Sequence, residues 1–113
     1  MANIRIERMN HLYQEEISRI LMREVKDEEL KFVTITGVSI TNDYSFAKVY
    51  YTVLDESKKD RVKESFKKAS SFIRTKLAEK VDIRHTPSLI FQYDESISYG
   101  RHIDEIINEI HKK

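Results

Sequence analysis

The residues of this chain best equipped for chemistry are its cations, and they are concentrated. Between Lys58 and His85 ten side chains are basic (Lys58, Lys59, Arg61, Lys63, Lys67, Lys68, Arg74, Lys76, Lys80, Arg84) and four are acidic (Asp60, Glu64, Glu79, Asp82). That segment carries +6 and the remainder −5, in a chain of 113 residues whose formal net charge is +1. Phosphates are the natural ligands of such a patch, and the acidic remainder limits indiscriminate adhesion to polyanions. The competing reading is a solvated helix face with no ligand.

Catalysis finds no comparable support. The four histidines, His11, His85, His102 and His111, lack metal-ligand spacing with carboxylates, and His102 and Asp104 are neighbours only in sequence. No P-loop, HExxH pattern or nucleophile elbow occurs. Asp94-Glu95-Ser96 follows a strand-like run, where such residues cap a turn or helix more often than they form an acid/base pair. The chain has no cysteine, so disulfides, thiolate catalysis and cysteine zinc sites are all absent, which suits a reducing compartment. The expectation is a protein that is not an enzyme, with no catalytic residue, metal, cofactor or small-molecule substrate.

The elements that must position the cations can be read from apolar spacing. With 40% hydrophobic and 35% charged residues, residues 1–113 are expected to form one globular domain. Met1 to Arg8 contain no apolar leader, and no run approaches the roughly 18 apolar residues of a membrane span. A soluble, cytoplasmic protein with no membrane partner is expected. Ile6, Met9, Tyr13, Ile17, Ile20 and Leu21 recur every three or four residues, which predicts an amphipathic helix from about Ile4 to Val25. Asp27-Glu28-Glu29 reads as an acidic break. Phe32 to Ile40 alternates as a strand, with a slip of phase at Gly37 that suggests a β-bulge. Thr41-Asn42-Asp43 is turn chemistry, and Phe46 to Leu54 alternates again with Ala47, Val49, Tyr51 and Val53 on one face. These two strands make a hairpin.

Ser57 is the expected N-cap of the basic helix, whose core face is Val62, Phe66, Ala69, Ile73 and Leu77. Pro87 precedes a third strand, Leu89 to Tyr93, apolar enough to lie at the centre of a sheet. A last helix would carry Ile103, Ile106, Ile107 and Ile110 after Gly100. Tyr50, Tyr51, Phe91 and Tyr93 lie on strands. Such rings can stack bases, but alternation turns part of the set toward the helices, where core packing is the better reading.

The order α-β-β-α-(α)-β is that of a type II KH fold, and the sequence resembles the bacterial ribosome-binding factor A family. The likeness spans nearly the whole chain. It rests on the Arg8 to Lys26 helix ending in Lys26-Asp27, on Val38-Ser39 through Asp43, and on Ala47-Lys48-Val49-Tyr50. It continues in Ala69-Ser70-Ser71-Phe72-Ile73-Arg74, in Pro87 through Ser96, and in Arg101-His102-Ile103. The resemblance implies an α+β fold: a three-stranded sheet with helices on one face and a bend in the basic helix at Ala69, Ser70 and Ser71. The family usually has Ala-x-Gly there, and Ser71 stands at the glycine position. It also implies a monomeric assembly factor that binds the small (30S) ribosomal subunit and its 16S rRNA during late maturation and rRNA processing. Importance in the cold is part of the same expectation, as is a GTPase partner in some lineages.

The residues themselves support a phosphate-directed surface. Gly37 and Gly100 are too far apart for the Gly-x-x-Gly loop with which KH domains clamp single strands. At 100° per residue Lys63, Lys67 and Arg74 fall within about 40° of one another, with Ser70 beside them. Lys68, Lys76, Lys80, Arg84 and His85 complete the expected RNA-binding set. Phosphate contacts position without reading sequence, so specificity would come from the shape of folded rRNA. The reading from another class is a protein-protein adaptor whose basic helix meets an acidic partner.

Overall fold

The computed structural model describes residues 4–81 and 85–96. The expected last helix around Ile103–Ile110, and Arg84, lie outside them. In chain order the elements are α1 (Ile4–Arg23), α2 (Glu28–Lys31), β1 (Val33–Ile40), β2 (Phe46–Val53), a 3-10 turn (Glu56–Lys58), α3 (Lys59–Lys80) and β3 (Ser88–Tyr93). This is the α+β arrangement that the apolar spacing predicts. α1 buries Ile6, Tyr13, Ile17, Ile20 and Leu21, a stripe three and four residues apart that faces the sheet. The acidic stretch read as a break is instead α2. Asp27 caps it by accepting the Glu29 amide at 3.0 Å, and Leu30 is fully buried.

The sheet order is β1-β2-β3. β1 and β2 form the antiparallel hairpin, and β3 runs parallel to β2. A parallel neighbour requires a crossover, and α3 supplies it. β2 is therefore the central strand, and the placement of Leu89–Tyr93 at the centre is corrected to an edge of the sheet that the described residues form. An apolar run does not distinguish centre from edge. A strand that joins a finished hairpin beside β2 becomes the new edge unless another strand follows it. Leu89, Phe91 and Tyr93 turn toward the helices, while Ser88, Ile90 and Gln92 are exposed on the outer face.

The slip of phase in β1 is a bulge. Ile35 pairs with Tyr51 and Gly37 with Tyr50, so Thr36 is the extra residue, and Val33, Ile35, Val38 and Ile40 all reach the core. Thr36 Oγ1 then donates to Asp94 beyond β3 at 2.7 Å, linking the two outer strands. In the hairpin turn Asp43 accepts from Thr41 Oγ1 and the Ser45 amide; the Ser45 bonds come first in holding its carboxyl below the usual range. Tyr44 takes the left-handed conformation, φ 61°, which strains a residue with a Cβ.

α1 and α3 cover one face of the sheet. Phe66 of α3 stacks on Phe91 of β3 with ring centroids 4.2 Å apart and lies 4.6 Å from Tyr51 of β2. Two local expectations concern α3. Its 22 residues run through Ala69, Ser70 and Ser71 as one α-helix, so the bend expected there does not divide it into two helices. Serine costs only about half a kcal/mol against alanine in a helix, and buried Phe66, Ile73 and Leu77 on either side hold the segment to the core. Ser57 is not the N-cap of α3: that position is Lys58, which makes no side-chain capping bond. Asp55 caps the preceding 3-10 turn, its carboxylate accepting the Ser57 amide at 3.0 Å and the Ser57 hydroxyl at 2.7 Å.

Tyr13 generates a prediction. It is fully buried, and its hydroxyl has no hydrogen-bond partner among the described residues. Burial, with a smaller contribution from Tyr44, pushes its pKa from 10.0 up to about 12. The unfolded chain loses this proton first, so the stability is complete below pH 10 and is lost as pH rises toward the folded value. Tyr13→Phe removes both the unpartnered hydroxyl and this titration. Urea unfolding should find the variant as stable as the parent at pH 7, or more stable by about 1 kcal/mol, with a smaller loss above pH 10. Destabilisation beyond about 2 kcal/mol would mean that the hydroxyl has a partner.

Candidate nucleic-acid interface

Val62, Phe66, Ile73 and Leu77 bury one side of α3 and turn its cations outward. Two contacts orient the helix along β3. At one end Lys59 Nζ sits 4.1 Å from the Tyr93 ring centroid and 3.3 Å from Glu95. Farther along, Arg74 donates to the Pro87 carbonyl at 3.1 Å and the Thr86 carbonyl at 2.6 Å. Lys59 therefore marks the end of β3 and Arg74 its beginning. Lys63, Lys67 and Ser70 lie on the same helical row between them.

The predicted cations divide by what they touch. Lys63 and Lys68 are exposed, with no hydrogen bond or ion pair among the described residues. Lys67 is 3.3 Å from Glu64, but both side chains are more than 60% exposed, and such a pair contributes little. These three are open to a ligand. Arg74 is occupied by the two carbonyls, a fixed fork that ties α3 to the start of β3. Lys76 lies 3.6 Å from Glu79 and 5.6 Å from the Phe72 ring centroid. Lys80 bridges to Glu24 at the end of α1, 2.9 Å away, and the hydrogen bond to Glu24 raises its pKa. His85 is exposed just before β3.

The open lysines sit in the first half of α3; in the second half Arg74 and Lys80 hold elements together, while both partners of Lys76 are on α3 itself. Sequence spacing missed this division. The partners of Arg74 are main-chain carbonyls 12 and 13 residues away, and no side-chain periodicity encodes them. The aromatics divide as alternation suggests: Tyr51 and Tyr93 are buried and Phe91 packs against the core. Tyr50 and exposed Phe46 remain on the outer face. Among the described residues no cluster of His, Cys, Asp or Glu could hold a metal ion, and no helix is long and apolar enough to cross a membrane. What the open lysines offer is point charge for phosphate oxygens, without the planar fork that reads a base edge.

Comparison with known proteins supplies the family. The sequence model of ribosome-binding factor A matches residues 5–107. The chain belongs to the ribosome-binding factor A family. It is 43% identical over 116 aligned residues to ribosome-binding factor A of Clostridium beijerinckii, covering 99% of this chain and 98% of that protein. With the Staphylococcus epidermidis protein it shares 45% over 113 residues, 99% and 97% of the two chains. The crystal structure of ribosome-binding factor A from Thermus thermophilus superposes with a TM-score of 0.70 at 19% identity, over 78% of this chain and 94% of that one. A homology model of the Thermus thermophilus factor, fitted into a cryo-EM map of its complex with the 30S subunit, superposes with a TM-score of 0.61 at 21% identity. It covers 76% of this chain and 91% of that one. These two likenesses bear on the fold.

The cations of α3 should separate by stability. Arg74→Ala leaves two carbonyls near the start of β3 without their charged donor, and should cost about 1–2 kcal/mol in urea unfolding. Lys63→Ala and Lys68→Ala should each stay within about 0.5 kcal/mol of the parent. Equal effects at the three positions would remove the distinction between structural and open cations.

Proposed function

We propose that this protein binds the small ribosomal subunit through 16S rRNA, as a non-catalytic assembly factor in late maturation and rRNA processing. The observation that carries the reading is the open group Lys63, Lys67 and Lys68 on a helix held rigidly along the sheet, in a chain of a ribosome-binding family. The 30S complex of the Thermus thermophilus factor supports the choice of subunit. Lys76, Lys80 and His85 extend the cationic surface beyond the open group, Arg74 ties α3 to the start of β3, and the sequence adds Arg84, outside the described residues. The resemblance extends the proposal to a monomer of one domain, residues 1–113, working in the cytoplasm, most important in the cold, and released with a GTPase in some lineages.

With no Gly-x-x-Gly clamp, discrimination must come from fitting a preformed rRNA shape. Small subunits present that shape; loose rRNA presents many alternatives, and a joined large subunit competes for or covers the site. Co-sedimentation at fixed moderate salt should therefore recover the protein with small subunits or their precursors, and less with assembled ribosomes or naked rRNA. If about five phosphates are met, log K should fall against log salt with a slope near −4. Reversal of Lys63, Lys67 and Lys68 to Glu should abolish most of that slope while the circular dichroism melt is retained. Equal recovery with all three partners, or affinity indifferent to salt and to the reversals, would overturn the proposal.

A further inference from the structure

The two edges of the sheet are finished differently. β1 is guarded: Thr36 forms a bulge, Asn10 of α1 accepts the Ile40 amide at 2.9 Å, and Gln14 donates to the Ile35 carbonyl at 3.1 Å. Among the described residues β3 has none of these devices. Ser88-Leu89-Ile90-Phe91-Gln92-Tyr93 contains no charge, proline, glycine or bulge, though these are the usual means of blunting an exposed edge.

Hydrogen bonding shows which groups the edge presents. The Ser88 amide donates to the Ser45 carbonyl at 3.0 Å and the Asp94 amide to the Tyr51 carbonyl at 2.7 Å. Residues 88 and 94 thus face β2, and by the alternation of a strand so do Ile90 and Gln92. Leu89 and Phe91 turn their N–H and C=O groups to the open side, where β3 has no neighbouring strand among the described residues. The Pro87 carbonyl, on the same side, is the one Arg74 takes. The open edge therefore runs beside α3 from Arg74 to Lys59, with Lys63 and Lys67 alongside.

We propose that this edge accepts an extended acidic peptide from a protein partner, added as a fourth strand beside β3 with carboxylates directed at Lys63 and Lys67. A strand supplies N–H and C=O groups at the spacing that Leu89 and Phe91 present, which a nucleic-acid backbone does not. Its alternate side chains face the helical layer, where the neighbouring open groups are cationic and β3 itself contributes no charge. Charge complementarity therefore selects acidic residues at those alternate positions. Peptide and rRNA would meet the same two lysines and exclude one another, so such a partner would displace the protein from RNA. The inference does not depend on the rRNA reading, because the edge exists whatever the lysines bind.

Amide hydrogen exchange on the full chain, read by NMR, tests it with the peptide Val-Glu-Val-Glu-Val-Glu-Val as probe. In the free protein the Leu89 and Phe91 amides should exchange quickly and those of Ile90 and Gln92 slowly. Saturating peptide, with occupancy followed by fluorescence anisotropy, should slow Leu89 and Phe91 by about tenfold or more. The lysine counterpart Val-Lys-Val-Lys-Val-Lys-Val should not. Leu89→Pro removes an outward amide without removing a ladder bond to β2, and should abolish peptide binding. Lys63→Glu combined with Lys67→Glu should weaken it about tenfold and serves if the proline variant fails to fold. Several results would overturn the proposal. The two amides could already be slow in the free chain, which means the edge is covered by another part of the chain or by a second copy. They could stay fast at saturation, or the peptide could fail to bind at millimolar concentration. A uridine oligonucleotide could protect them while the acidic peptide does not, which assigns the edge to RNA.

Discussion

The packing of Phe66 on Phe91, flanked by Tyr51, is the contact on which the rest of this structure depends. It joins the middle of α3 to the middle of β3 and seats both on the central strand. A hairpin alone is marginal in water. β3 can pair in parallel with β2 only if the crossover helix packs back onto the sheet, and large rings bury the area that makes this favourable. Once these rings meet, the direction of α3 is set, and with it the line along which every cation of the basic helix must lie.

Around that contact the polar bonds act as fasteners. Arg74 holds the carbonyls before β3, Lys80 reaches Glu24 at the end of α1, and Thr36 reaches Asp94 across the sheet. Each spans two elements that hydrophobic packing has already brought together, so each refines position more than it creates stability. The consequence for function is subtraction. Cations used as fasteners cannot also be fully available to a ligand, and Arg74 and Lys80 are withdrawn while Lys63, Lys67 and Lys68 stay open. The same arrangement leaves β3 with an edge that no described residue guards, whereas α1 reaches over β1 with Asn10 and Gln14.

The family resemblance and the structure agree on the architecture, and one local feature concerns Ser71. Ser71 stands where the family usually has glycine, and α3 passes through it unbroken. Serine keeps its amide and tolerates helical geometry, so without glycine or proline nothing in the backbone chemistry compels a bend. Gly37 teaches the reverse lesson. It marks the bulge in the sequence, yet its φ is not positive and an added Cβ would meet nothing within 4 Å. The extra residue that makes the bulge is Thr36.

By itself the sequence determined the longer elements, α1, β1, β2, α3 and β3, and their inward faces, but not α2. The spacing of Ile6, Tyr13, Ile17 and Ile20, the alternation from Ala47 to Val53, and the slip between Ile35 and Val38 are local patterns. Burial of one face enforces them whatever the topology. The concentration of charge between Lys58 and His85 was equally plain, since composition needs no fold. Only the tertiary structure decided which strand is central, which lysines remain open, and that Arg74 serves β3. Those outcomes depend on pairing between residues distant in the chain, and on main-chain carbonyls whose direction no side chain announces. An edge, a fastener and an open charge look alike in sequence, because what separates them is the neighbour that folding supplies or withholds.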